Sequence, residues 1–196
     1  MNIDNNKIYK FLAGGMVSTL SVVVSAFMAL YLSKLDDGIG RACGNGVFAV
    51  QTAFSAGEFS ALRGAFVPHL GLVNQYLAVD VIFTLSCAVC FPAVMALMFT
   101  QYKEIMRRLN DTDCSPSQYK ARDRFIFFAP ISMIFCVICN GLVYYMLNTG
   151  KISGVLTMIA GVSQIMRVLL LFGALGFILY ILIKRRKHIK QLYSQG

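Results

Sequence analysis

Two CxxC pairs occur in this chain, Cys87 and Cys90 in LSCAVCFP and Cys136 and Cys139 in IFCVICNG. A spacing of three residues puts each pair on one helical face, so the chemistry to weigh is a four-thiolate metal site or thiol–disulfide exchange. Cys87 and Cys90 follow Asp80 by seven and ten residues, and Cys139 and Cys136 precede Leu147 by eight and eleven. Counted from those outer boundaries, all four are expected in one layer, roughly 10 to 16 Å deep. Their neighbours are Val, Ala, Phe and Ile, which disfavour the charged thiolate, and no nearby His or carboxylate completes a site. The expectation is therefore a packing layer of small polarizable residues, with no metal and no cofactor.

A second candidate is Asp80 with Arg167, the only charges deep within apolar runs. Charges so placed are costly in hydrocarbon and are functional candidates by default. Gln101 and Lys184 mark the basic ends of the two runs, 21 and 17 residues beyond these charges. At 1.5 Å per residue both lie about 25 to 32 Å from that surface, so an ion pair is predicted. Gln164, one turn from Arg167, and Asn140 are its candidate polar partners. His69 and His188 fall in a loop and a tail.

The runs that carry these residues identify the class. Of 196 residues, 57% are apolar and 14% charged, with a mean hydropathy of +0.65, far from the make-up of a soluble domain. Four stretches, 11–33, 76–100, 125–147 and 152–183, are long enough to cross a core of about 30 Å. The first is too long for a secretory h-region and lacks a cleavage signature, so it reads as a retained span. The fold class is all-α: a single membrane domain of four transmembrane helices.

Segment 44–72 contains Glu58, Arg63, Pro68 and His69, with Phe59, Leu62 and Phe66 at helical spacing. It is expected as a short amphipathic or re-entrant helix in the first outer loop. Pro92 and Pro130 are expected to bend the second and third helices. The link Asn148 to Lys151 makes the third and fourth antiparallel neighbours. Turn residues in NDTDCSPS break the second connection, whose first half extends the second helix. Small residues, Gly14 and Ser18 in the first run and Gly154, Gly161, Gly173 and Gly176 in the fourth, permit close helix approach.

Thirteen Lys and Arg residues fall at the N-terminus, the second connection and the tail, against four on the opposite side. By the positive-inside rule both termini are expected in the cytoplasm, in a plasma membrane or bacterial inner membrane. The net charge of +9 then reflects contact with anionic headgroups rather than with nucleic acid. Cys114 falls on the cytoplasmic side and Cys43 on the other.

Four spans with Cys87 and Cys90 in the second resemble the DsbB and VKOR type of quinone-linked disulfide oxidoreductases. That resemblance implies exchange between a helix CxxC and an outer-loop cysteine pair. Here the outer loop offers only Cys43, and no Arg follows the CxxC on its helix. No nucleophile–base constellation or phosphate loop is present, so no enzyme is expected. The leading expectation is a membrane protein acting through contacts with another membrane protein or with its own copies, of the immunity, exclusion or secretion-assembly kind. The alternatives are an ion or solute transporter, with Asp80, Arg167, Asn140 and Gln164 lining a path, and a thiol oxidoreductase.

Overall fold

The computed structural model describes residues 15–108 and 125–194. Lys7, Lys10, residues 11–14 of the first expected span, Gly14, Cys114, the NDTDCSPS break, Lys120, Arg122 and Arg124 lie outside them. The described chain is helical, in the order α1 (Gly15–Cys43), α2 (Val47–Gln51), α3 (Ala56–Phe66), a 3-10 turn (Val67–His69), α4 (Leu70–Arg108), α5 (Phe128–Thr149) and α6 (Gly154–Ser194). Four helices are long and apolar enough to cross a membrane. The protein is a four-helix membrane bundle.

α4, α5 and α6 pack on one another, and α1 lies against α4. The two termini of the bundle have different interiors. At the connecting-loop end, Phe59 and Phe66 of α3 and Val47 and Val50 of α2 pack with Leu77 of α4 and Val143 and Met146 of α5. At the opposite, basic end, Phe99, Phe125, Phe128 and Phe177 cluster, the rings of Phe125 and Phe177 stacking at 4.3 Å. Edge and face contacts between aromatic rings add to the burial they provide.

The segment expected as interfacial or re-entrant folds back into the bundle. α2 and α3 have five and eleven residues, each too short to span. The predicted stripe is observed on α3, with Phe59 and Phe66 buried and Leu62 partly so. Ser55 and Glu58 form a reciprocal capping box that starts α3. Arg63 reaches across to α5, where its Nε donates to the Leu147 carbonyl at 3.2 Å. It thereby satisfies one of the last-turn carbonyls that a helix cannot pair itself. Gly150 ends α5 in the left-handed conformation at φ 71°, which only glycine adopts without strain.

Two boundaries change the sequence reading. The first helix does not stop at residue 33 but runs to Cys43, because Leu32, Ile39 and Cys43 are buried and keep the extra turns docked. There Asp36 accepts from the Val47 backbone N–H at 2.9 Å, capping α2. Pro130 does not bend the third helix. α5 starts at Phe128, so Pro130 sits in the first turn, where its missing N–H has no helical partner to lose. Pro92 is inside α4. The glycines of α6 that meet a neighbour meet rings: a Cβ on Gly161 would lie 2.8 Å from the Phe54 ring, and one on Gly173 3.0 Å from Phe128. The room they make is filled by aromatic side chains of the same chain.

Gly46 is the tightest backbone approach in the cap, since a Cβ there would lie 2.8 Å from the Asp36 carboxylate. Gly46→Ala is expected to push Asp36 off the Val47 N–H and to cost about 1 kcal/mol, the scale of one such hydrogen bond. Asp36→Ala is expected to cost a similar amount. The double variant should be no worse than Asp36→Ala alone, because the clash has lost its target. Thermal unfolding in detergent micelles measures all three, and additive losses would contradict this account.

Candidate functional site

In an apolar interior surrounded by lipid, each polar side chain must find its partner within the protein. Asp80 of α4 and Arg167 of α6 meet as a bidentate pair. Arg167 Nη1 donates to Asp80 Oδ2 at 2.6 Å, and Nη2 donates to Oδ1. Similar depth counted along two separate helices is thus realised as direct contact. This paired-fork geometry suits arginine and not lysine.

The remaining lone pairs and donors close into a ring. Arg167 Nη1 also donates to Gln164 Oε1 at 3.3 Å, and Gln164 Nε2 donates to Gln51 Oε1 at 3.1 Å. Gln51 Nε2 donates to Asn140 Oδ1 at 2.6 Å. Asn140 Nδ2 returns to Asp80 Oδ2 at 2.9 Å and reaches the Leu77 carbonyl at 3.3 Å. Five side chains from α2, α4, α5 and α6 are joined, none more than 6% exposed. Thr84 donates to the Asp80 carbonyl at 2.9 Å, and the Cys136 thiol lies 3.8 Å from the same oxygen. Among the described residues, the buried side-chain nitrogen or oxygen left without a partner is Arg167 Nε.

Asn140 and Gln164, expected as polar partners, are both in the ring. Gln51 is the member that sequence reasoning missed. It lies in the segment expected as a short amphipathic or re-entrant helix, and α2 carries it down to the level of Asp80. Its signal was present in GVFAVQTAF, where Gln51 is the one amide and shares an otherwise apolar stretch with Thr52.

The cysteines do not share one layer. Asn74 pairs reciprocally with Asn148, and Asp80 lies beside Cys136 and Asn140, which fixes the antiparallel register of α4 and α5. Cys87 is seven residues further along α4, about 10 Å below Asp80. It and Cys90 therefore fall level with the first turn of α5, not with Cys136 and Cys139. The depth count erred because Asp80 is not at the boundary: α4 starts ten residues earlier, at Leu70, whereas Leu147 is two residues from the end of α5. Cys136 borders the ring, Cys139 packs among Leu77, Val143 and Met146, and Cys87 and Cys90 face Ser25 of α1. The five described cysteines are free thiols, and among the described residues no three His, Cys, Asp or Glu side chains are grouped to hold a metal.

Chemically, the site is a neutralised ion pair whose carboxylate has its oxygens occupied and whose neighbouring amides are joined through Gln51. Removing one partner of a buried pair leaves an uncompensated charge, worth about 3 to 5 kcal/mol. Arg167→Gln and Asp80→Asn are each expected to destabilise the bundle on that scale, and the double variant by less than their sum. Arg167→Lys should recover only part of the loss. Gln51→Ala and Gln164→Ala should each cost about 1 to 3 kcal/mol and be non-additive, since they share one bond. Unfolding in bicelles, run as double-variant cycles, measures these couplings; purely additive values would show that no ring operates.

Comparison with protein-family models, with curated proteins and with solved structures gives no match to this chain.

Proposed function

We propose that this protein is a non-enzymatic multi-pass protein of a plasma or bacterial inner membrane, acting through contacts with another membrane protein. An immunity, exclusion or secretion-assembly role is the kind of activity meant, with both termini in the cytoplasm as the thirteen-to-four distribution of bases favours. The observation that carries the reading is α1. Only 11% of its apolar window is buried, against 28% to 39% for the other three spans. It packs along α4, where Ser18 donates to the Ala93 carbonyl at 3.3 Å, Ser25 to Ser86 at 3.1 Å and Gln75 to the Tyr31 hydroxyl at 2.8 Å. Met16, Leu20, Val23, Phe27 and Leu30 point away from the bundle. A helix held at the rim is well placed to meet a partner helix, where packing and hydrogen bonding replace the hydrophobic effect.

The transport reading has one observation in its favour, the convergence of Asp80, Arg167, Asn140 and Gln164. They face one another at one height, however, and are mutually hydrogen-bonded rather than strung along a path. Photocrosslinking residues placed singly at Val23, Phe27, Leu30 and, as a control, at buried Leu32 separate the readings. The expected outcome is a protein adduct in native membranes from the outward positions and none from Leu32. Adducts with lipid alone from all outward positions would refute the partner reading. Flux of ions or small solutes in proteoliposomes that Asp80→Asn abolishes would replace it with transport.

A further inference from the structure

Arg167 Nε is the donor that the ring leaves over. It is buried without a hydrogen-bond partner among the described residues, although both Nη atoms are engaged. In an apolar interior an unpaired N–H carries its full desolvation cost, so this atom points to an acceptor beyond the side chains of the ring. Bulk water is out of reach at this depth, and the acceptor has to be enclosed with the bundle.

The surroundings of Nε follow from helix register. α6 meets α5 where Gly173 faces Phe128. Six residues back on α6 and six forward on α5, the Arg167 backbone is level with residue 134. Side chains on a helix lean toward its N-terminus, which on α6 is the direction of Asp80, so the Arg167 stem rises past the turn of α4 that follows Asp80. Thr84 is on that turn, on the same face as Asp80. It is fully buried, and it stands within hydrogen-bonding reach of the Cys136 thiol, which itself lies 3.9 Å from the Asp80 carboxylate. Thr84 and Cys136 thus flank the stem below the fork.

The donors and acceptors there select an occupant. Thr84 spends its one hydrogen on the Asp80 carbonyl, which leaves its lone pairs to accept. The Cys136 sulfur is a further, weaker acceptor. A group between them and Nε must accept from Arg167 and donate to Thr84. A halide accepts only, and it would add a charge to a pair that is already neutral. We infer that this position is a binding site for one enclosed water molecule, accepting from Arg167 Nε and donating to Thr84 Oγ1, with the Cys136 sulfur as its third neighbour. Three partners is the usual number for a buried water. The site gives the third guanidinium nitrogen a partner and joins α4, α5 and α6 one turn below the ring.

Crystals of the full chain grown in lipidic mesophase test this. An ordered oxygen is expected about 2.9 Å from Nε and about 2.8 Å from Thr84 Oγ1, with no anomalous peak there after a bromide soak. Thr84→Val should abolish that density and keep the Asp80–Arg167 fork, whereas Thr84→Ser should retain it. In micelles, with arginine labelled by nitrogen-15, the slowly exchanging Arg167 Hε should show direct cross-relaxation to water, a readout that needs no variant to fold. A bromide peak, an oxygen of the chain itself on Nε, water density unchanged in Thr84→Val, or no cross-relaxation to water would each overturn the assignment.

Discussion

The bundle is organised around one constraint: a carboxylate and a guanidinium lie within a lipid-embedded interior and cannot reach water. Each must be matched by groups from other elements, and those groups must then be matched themselves. Asp80 and Arg167 satisfy most of each other's need, but two carboxylate oxygens offer more lone pairs than one fork can fill. Asn140 and, more distantly, Gln51 take up the remainder, and Gln164 joins the two sides. Because the members come from α2, α4, α5 and α6, one requirement fixes the relative height of four segments. A buried ion pair is weak as a source of stability and strong as a source of register, since any slip leaves a charge unpaired.

The same constraint accounts for the folded-back segment. Non-helical backbone at membrane depth is tolerated where protein covers it. Here α2 enters only far enough to deliver one amide, and it is capped by Asp36 of α1, while α3 climbs out and is tied by Arg63 to the end of α5. The apolar residues that accompany Gln51, namely Val47, Val50, Phe59 and Phe66, close the interior above the ring. Polar satisfaction and apolar packing are thus supplied by the same short stretch of chain.

Much of this was legible in the sequence, for physical reasons that can be separated. Span number followed from the length of apolar runs, and the meeting of Asp80 with Arg167 from counting rise along two helices. Gln164 was found because it lies one turn from Arg167. Gln51 was missed because depth was assigned to the four spans alone, whereas a short helix between spans can carry a side chain inward. The cysteine layer failed for a related reason: a helix boundary inferred from a charge misplaced Cys87 and Cys90 by about two turns. Boundaries set by tertiary burial, as at Ile39 and Cys43 on α1, have no local signature that distinguishes them from a helix ending at Ser33.

The length of α6 carries a mechanical implication. It is one unbroken rod of 41 residues, clamped a third of the way along by Arg167 and packed again through Phe177, Ile178 and Ile181, with about 20 Å of helix between Ile181 and Ser194 at 1.5 Å per residue. As a lever pivoting on that packing, it converts a tilt of about 5° into a displacement of about 1.7 Å at its far tip, given that length. Rearrangements too small to break the clamp are thereby magnified at the aqueous end of the helix.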